Sequence, residues 1–178
     1  MRFPTLLSAA SALLAAPAAL AAPASEISSQ NDILSPDFVP LYKRENLCNL
    51  KAPPQLCTPN KSVTVEETAQ RAYQFYRAFV VDGDPRTMFS LIDNVYEQHN
   101  PGYRSGPQAI WSLFCSGRKI GTEQSTDWCF DATTNMSWAR YSVVDRWRWV
   151  DGCVHEHWDQ GERFPSKDKC FKLPTTTP

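Results

Sequence analysis

The sequence predicts an α+β protein in which N-terminal helices pack on one face of a curved antiparallel sheet. Helix caps and apolar residues at three- and four-residue steps run from residue 64 to residue 114. From residue 127 onward apolar and polar residues alternate, which is the period of a half-buried strand. Helices thus precede strands instead of alternating with them, and this order favours one helical layer on a sheet.

The first predicted helix begins at a capping box. The hydroxyl of Thr64 can accept from the backbone amide of Glu67, and the Glu67 side chain can reach back to the amide of Thr64. Asp82-Gly83-Asp84 ends the helix. Its predicted buried face consists of Ala69, Ala72, Tyr73, Tyr76, Phe79 and Val80.

Two shorter helices and one strand follow. Asp84 caps a second helix, which has Pro85 at its first position and ends at Asp93-Asn94. Residues 95–99 alternate like a short strand, and residues 107–114 predict a third helix. The apolar residues that these two helices turn inward are Met88, Phe89, Leu91, Ile92, Trp111 and Phe114.

Strands dominate the second half of the chain. Residues 127–132 predict one strand, residues 138–150 a long second strand, and Asp151-Gly152 a tight hairpin into the last strand. One face of the long strand carries Val143, Asp145, Trp147 and Trp149, and the other carries Val144, Arg146, Arg148 and Val150.

Alternation along the last strand leaves the orientation of its histidines open. His155, His157 and Asp159 point to one side, whereas Val154, Glu156 and Trp158 point to the other. On composition alone, the set with Val154 and Trp158 would face the core and the histidines would be solvated. Periodicity does not decide between the two orientations.

Both ends of the chain predict something other than packed structure. Residues 1–21 combine an early Arg with an Ala/Leu-rich run and an Ala-Leu-Ala cleavage pattern, as in a secretory signal peptide. Residues 22–62 form a propeptide-like or disulfide-pinned extension, in which Lys43-Arg44 is either a processing site or an ordinary basic pair. Residues 161–178 form a C-terminal tail.

The cysteine count agrees with export. Six cysteines in an oxidising compartment predict three disulfides, and closeness in the sequence suggests the pairs Cys48–Cys57, Cys115–Cys129 and Cys153–Cys170. No Cys-x-x-Cys pair supports a zinc site. Asn60 and Asn135 each begin an Asn-x-Ser triplet, so a secreted glycoprotein is expected.

Charge argues against two classes of partner. The chain holds 18 Lys and Arg against 19 Asp and Glu, a net charge of −1. Such a balance gives no electrostatic reason to bind nucleic acid or an anionic membrane. A small-molecule ligand is the expected partner.

Two segments resemble the SnoaL-like polyketide cyclase family. Residues 96–101 read Tyr-Glu-Gln-His-Asn-Pro, and residues 144–159 contain Val-Asp-Arg-Trp-Arg and then Asp-Gly-Cys-Val-His-Glu-His-Trp-Asp. Family members typically show Gln-His-Asn-Pro, Val-Asp-x-Phe-Arg, Asp-Gly and Glu-His-Trp-Asp in this order, although Trp147 stands where Phe is usual. The resemblance covers residues 63–160 and implies the cone-shaped nuclear transport factor 2-like fold, often a homodimer.

The resemblance also implies a candidate active site. The aspartate of the last strand is the general acid/base of an intramolecular aldol closure in such cyclases, and it corresponds to Asp159. His157 would lie beside it, and His157, His99 or Tyr96 would donate to the enolate oxygen. Asp145 either orients a histidine, acts as a second acid/base, or pairs with a neighbouring arginine.

Aromatic residues are the expected walls of the pocket. They suit an aromatic or polyketide-like ligand, and they equally suit an ordinary core. The wall residues proposed from the sequence are Trp111, Phe114, Trp147, Trp149 and Tyr76, together with Tyr96.

Three functions follow from these residues. The first is acid/base chemistry without a cofactor, namely aldol cyclisation, isomerisation or dehydration of a carbonyl or polyketide-like compound. The second is a secreted ligand-binding or effector protein without catalysis. The third is a metal site of His155, His157 and Asp159, which the metal-free chemistry of the resembled family disfavours.

Overall fold

The structure, a computed structural model, describes residues 46–121 and 126–174. The predicted signal peptide and the basic pair Lys43-Arg44 lie outside the described residues. Within these two ranges, no helix combines the length and apolar character that crossing a bilayer requires.

In the described part of the chain, three α-helices form where the sequence predicts them. Helix α1 spans Val65–Tyr76, and its capping box is complete, with the Glu67 amide 3.1 Å from Thr64 Oγ1 and the Thr64 amide 2.7 Å from Glu67 Oε2. A π-helical segment, Arg77–Asp82, continues α1 and ends at Gly83, whose φ of 63° is left-handed. Helix α2 spans Pro85–Ser90, and α3 spans Pro107–Phe114.

The buried face of α1 lies slightly to one side of the predicted face. Phe75 is buried, whereas Tyr73, predicted to face inward, is 38% exposed and packs edge-on against Trp128 at 5.3 Å between ring centroids. Phe75 and Tyr73 both fit a three- or four-residue step along the helix. Which of them is buried therefore depends on the sheet against which α1 packs.

Five strands in the described part of the chain form one sheet. They are β1 (Ile92–Gln98), β2 (Asp127–Asp131), β3 (Met136–Arg140), β4 (Val144–Val150) and β5 (Cys153–Trp158). Their order is β1-β5-β4-β3-β2, and only β1 and β5 pair in parallel. The predicted α+β class is confirmed, with a sheet that is mostly antiparallel rather than wholly so.

Two predicted element boundaries are wrong. Ile92, placed in the second helix, begins β1 and pairs with Val154, because pairing with a distant strand outweighs a local helical pattern. The long strand predicted for residues 138–150 is a hairpin, in which β3 and β4 are joined at residues 141–143. The predicted alternation in β4 is confirmed, with Asp145, Trp147 and Trp149 buried.

The hairpin between β4 and β5 has the predicted turn and an unpredicted bulge. Asp151 and Gly152 both have positive φ, 49° and 79°, as a tight primed turn requires. The register then shifts: Trp149 faces Val154, but Arg148 faces Glu156. His155 is therefore an extra residue, and beyond it His157 takes the inward side.

The six cysteines form three disulfides, Cys48–Cys115, Cys57–Cys153 and Cys129–Cys170. None is a predicted pair. Residues 46–62 of the N-terminal extension lie along the domain, with the Cys57 amide bonded to the Ile92 carbonyl at 2.8 Å, so the cysteines in this segment reach distant partners. Three disulfides suggest an oxidising, extracellular setting.

An aromatic layer fills the space between the helices and the sheet. Phe75 meets Trp147 edge-on at 5.1 Å between ring centroids, Phe79 meets Trp147 at 5.5 Å, and Phe89 meets Trp111 at 4.8 Å. Such contacts hold rings in fixed orientations. Next to this layer the helices and sheet leave a cavity.

Candidate functional site

A cavity of about 180 Å³ lies between the helices and the inward face of the sheet. Its walls are mainly apolar, and they include Phe75, Phe79, Ile92, Ile110, Phe114 and Trp147. Its polar groups are Tyr96, Gln98, Tyr103, Asp145, His157 and Asp159, together with the phenol of Tyr141. An apolar pocket with a few convergent polar groups is the usual form of a small-molecule site.

Strand register explains why these polar side chains meet. Gln98 on β1 pairs with His157 on β5, and His157 pairs with Trp147 on β4. These three residues form a row across the sheet, with Tyr96 and Asp145 two positions from it on the same side. The two segments that resemble the SnoaL-like family thus converge on one cavity.

His157 is held between an amide and a carboxylate. Its ring stacks on Trp147, with the centroids 5.1 Å apart and the planes at 9°. Nδ1 lies 2.9 Å from Gln98 Nε2, and Nε2 lies 3.5 Å from Asp145 Oδ1. The second distance suits an ion pair, but the geometry makes no hydrogen bond, so Nε2 is buried without a hydrogen-bond partner among the described residues.

The two aspartates have different surroundings. Asp145 is 2% exposed, and its Oδ2 accepts from the hydroxyl of Tyr141 at 2.5 Å. Asp159 lies just after β5, and its Oδ2 accepts from Asn100 Nδ2 at 2.7 Å. Asp159 Oδ1 is buried and, within the described ranges, has no hydrogen-bond partner. This oxygen and His157 Nε2 are therefore polar atoms that a ligand would satisfy.

Both tyrosines at the aspartates stay protonated. Burial, then the negative charge of Asp145, raises the pKa of Tyr96 and of Tyr141 far above the usual range, and Asp159 adds to the effect. Their hydroxyl groups therefore remain hydrogen-bond donors at any physiological pH. The Tyr141 hydroxyl uses its proton on Asp145.

Four sequence-predicted site residues lie elsewhere: His99, Trp111, Tyr76 and Trp149. Tyr76 and Trp149 are buried in the core and do not line the cavity. His99 stacks on Trp158 at 4.3 Å between ring centroids, and its Nε2 lies 2.9 Å from Glu156 Oε2, on the side of the sheet opposite the cavity. Trp111 is a core residue whose Nε1 donates to the Leu50 carbonyl at 3.0 Å. His99 directly follows Gln98, so strand alternation places the two side chains on opposite faces of the sheet. The family resemblance alone carries no information on this alternation.

The sequence-based site lacked several polar residues in or next to the cavity, including Gln98, Asn100 and Tyr141. Gln98 could have been found, because it is two residues after Tyr96 on one strand and therefore shares its face. Asn100 belongs to the same motif. Tyr141 carries no comparable signal, because it lies in a hairpin loop that the sequence predicts as strand.

The predicted metal set does not assemble. His155 Nδ1 lies 2.6 Å from Asp93 Oδ2, and in the described part of the chain His155 belongs to no cluster of three metal-ligating residues. Two other sets bring ligand atoms within 4.8 Å of one another: Asp145 with His157 and Asp159 in the cavity, and Glu97 with His99 and Glu156 on the opposite face.

Comparisons with known proteins do not identify the chain. No family model and no curated protein matches it. Among solved structures it is similar to TsrD from Streptomyces laurentii, with 17% identity, a TM-score of 0.40, and coverage of 56% of this chain and 90% of that chain.

Proposed function

We propose that this protein binds a small carbonyl compound in the cavity and performs acid/base chemistry on it without a cofactor. The observation that carries the proposal is that two cavity-lining residues, Asp159 and His157, each bury a polar atom without a hydrogen-bond partner among the described residues, namely Asp159 Oδ1 and His157 Nε2. One is an acceptor and the other belongs to an imidazole, and both line an apolar cavity. Burying such groups is costly unless a ligand satisfies them.

The pair fits proton abstraction next to a carbonyl group. Asp159 Oδ1 would take the proton from the carbon, while His157 would donate a hydrogen bond to the oxygen on which negative charge develops. Asn100 fixes the other oxygen of Asp159, and Asp145 lies close enough to His157 Nε2 to stabilise positive charge there. An enolate formed in this way serves aldol cyclisation, isomerisation or dehydration.

Cavity volume restricts the ligand. An engineered apolar cavity of roughly 150 Å³ holds benzene, and the cavity here is about 180 Å³. A compound with one ring, or a compact bicyclic compound, is therefore the proposed substrate.

Membership of the SnoaL-like family and the cone-shaped fold are part of the proposal. Support comes from the order of the motifs in residues 96–101 and 144–159 and from their convergence on one cavity. Secretion through residues 1–21 is supported by the composition of that segment and by the three disulfides. Glycosylation at Asn60 and Asn135 agrees with the exposure of both residues.

A ligand-binding protein without turnover is the second candidate. The observation that favours it is the aromatic wall of Phe75, Phe79 and Trp147, which is locked by edge-to-face contacts and would hold an apolar ligand in a preformed site. Such a protein would need neither Asp159 nor His157 to react.

Screening followed by mutation separates the two functions. One- and two-ring ketones, aldehydes and phenols are first tested for an increase in melting temperature, because a ligand of the folded state stabilises it by mass action. Compounds that bind are then incubated with wild type, Asp159→Asn and Asp168→Asn, and product formation is followed by mass spectrometry. Asp168 is a matched control because it is an exposed aspartate that does not line the cavity.

A further inference from the structure

We propose that Gln98 sets the hydrogen-bond polarity of the cavity, so that His157 Nε2–H and the Tyr96 hydroxyl both donate to one ligand oxygen. The inference rests on the proposed function and narrows its substrate to an enolisable carbonyl compound held by two hydrogen bonds. It depends on three contacts of the Gln98 side-chain amide and on the position of His157 Nε2 relative to Asp145.

The orientation of the Gln98 amide is fixed by the backbone. The amide nitrogen of Asn100 lies 3.1 Å from Gln98 Oε1. A backbone N–H can only donate, so the atom facing it must be the oxygen and not the NH2 group. The Nε2 of Gln98 therefore points into the site with two protons to donate.

This orientation fixes the tautomer of His157. Gln98 Nε2 lies 2.9 Å from His157 Nδ1, and because Nε2 only donates, Nδ1 must be the acceptor. The proton of the neutral imidazole is then on Nε2. Nε2–H is directed into the cavity, with Asp145 Oδ1 at 3.5 Å and no hydrogen-bond partner among the described residues.

The same amide directs the hydroxyl of Tyr96. Gln98 Nε2 lies 3.2 Å from the Tyr96 oxygen and donates to it, which leaves the hydroxyl proton for another acceptor. Tyr96 is 3% exposed and lines the cavity, so this acceptor would be a ligand inside it. A protonated phenol next to Asp145 and Asp159 cannot readily ionise, so it stays a donor.

The cavity thus offers two donors and one free acceptor. His157 and Tyr96 can share a ligand oxygen, and Asp159 Oδ1 can accept a proton from the neighbouring carbon. A carbonyl group with an adjacent C–H matches this pattern, and an enolate oxygen matches it better. Asp145, His157 and Asp159 each have a potential metal-ligating atom within 4.8 Å of the others. In this tautomer, however, His157 Nε2 carries a proton and has no lone pair with which to bind a metal ion.

Histidine tautomers are measured directly by long-range proton–nitrogen correlation NMR. The chain has three histidines, so each ring can be assigned by substitution. At about pH 8.5, where an ordinary imidazole is neutral, the wild-type disulfide-intact protein should show His157 with its proton on Nε2. A proton on His157 Nδ1 instead would overturn the inference. Because this measurement uses the wild-type protein, it does not depend on whether any variant folds.

Gln98→Glu reverses the polarity and supplies the second arm. A carboxylate only accepts, so His157 should change to the Nδ1–H tautomer and its two nitrogen shifts should exchange. The control Gln108→Glu alters an exposed residue on α3 and should change neither nitrogen. An unchanged tautomer in a folded Gln98→Glu protein would contradict the role of Gln98.

Ligand binding keeps this inference separate from the proposed function. Any carbonyl compound found in the thermal-shift screen should bind Gln98→Glu at least about tenfold more weakly, because both donors are turned away. If no compound binds the wild type while His157 is Nε2-protonated, the proposed function fails and the polarity assignment holds. Equal affinity for both proteins contradicts the two-donor site.

Discussion

Removing the Cys57–Cys153 disulfide should destabilise the protein strongly without changing the polar end of the cavity around Asp159. This bond joins the N-terminal extension to the first residue of β5, whose side chain is fully buried. It lies roughly 20 Å from Asp159, which follows Cys153 by six residues at the rise of a strand, although Cys57 also bonds to the apolar wall residue Ile92. Stability and binding can therefore be separated in one double variant, Cys57→Ser with Cys153→Ser.

The expected loss follows from the length of the closed loop. The bond has a sequence separation of 96 residues, and loop-closure entropy for a loop of this length corresponds to about 4.7 kcal/mol at 25 °C. The Cys129–Cys170 bond has a separation of 41 and should contribute about 3.9 kcal/mol by the same relation. For a domain of this size the first loss lowers the melting temperature by about 15–20 °C.

Urea unfolding of wild type and both double variants measures these free energies. The Cys57–Cys153 variant should lose more than the Cys129–Cys170 variant, and both should bind the cavity ligand with wild-type affinity well below their melting temperatures. A loss under about 1 kcal/mol for the longer loop would refute the entropic argument. Weaker ligand binding would refute the separation of the disulfide from the cavity.

Two further predictions concern the cavity mouth and the opposite face of the sheet. Leu113 is 42% exposed yet lines the cavity, so the larger side chain of Leu113→Trp should obstruct the cavity and weaken ligand binding at least about tenfold. Leu50 is 43% exposed and lies outside the cavity, so Leu50→Trp should leave the affinity unchanged, and titration calorimetry measures both. Partial burial raises the pKa of Glu156, but hydrogen bonds from Arg148 and His99 outweigh it and hold that pKa below its usual range. The ionised Glu156 side chain stabilises the folded protein fully above the ordinary Glu pKa of about 4.3. This stabilisation is lost as the pH falls through the lowered pKa of Glu156 in the folded protein. Acid unfolding curves should therefore show a smaller loss of stability below about pH 4 for Glu156→Gln than for wild type, and an equal loss would contradict the pairing.

Short-range sequence patterns predicted most helices, strands and turns of the fold. The features that these patterns did not predict depend on contacts between residues far apart in the sequence. The capping box at Thr64 and the Asp151-Gly152 turn depend on neighbouring residues, and both form as predicted. Ile92 belongs to β1 because Val154 lies opposite it, 62 positions later in the chain. The disulfides follow the path of the extension along the domain, which closeness in sequence cannot reveal.

The candidate site was predictable in part. Asp145 and Trp147 follow from alternation in β4, and the resemblance indicates that Asp159 lies at the cavity. Strict alternation along β5 wrongly places His155 on the same side as His157, because the sequence pattern does not reveal the bulge at His155. Gln98 is visible in the motif, but its role requires the contact with the Asn100 amide, which no pattern in the sequence encodes.

Turnover by Asp159→Asn tests the central claim most directly. If Asp159 Oδ1 is the base, this variant should bind the compound found in the screen with nearly wild-type affinity and melting temperature but form product at least about a hundredfold more slowly. Asp168→Asn should retain wild-type turnover. Product formation by Asp159→Asn at the wild-type rate would contradict the proposed chemistry, and binding without product in the wild type itself would identify the protein as a ligand-binding protein.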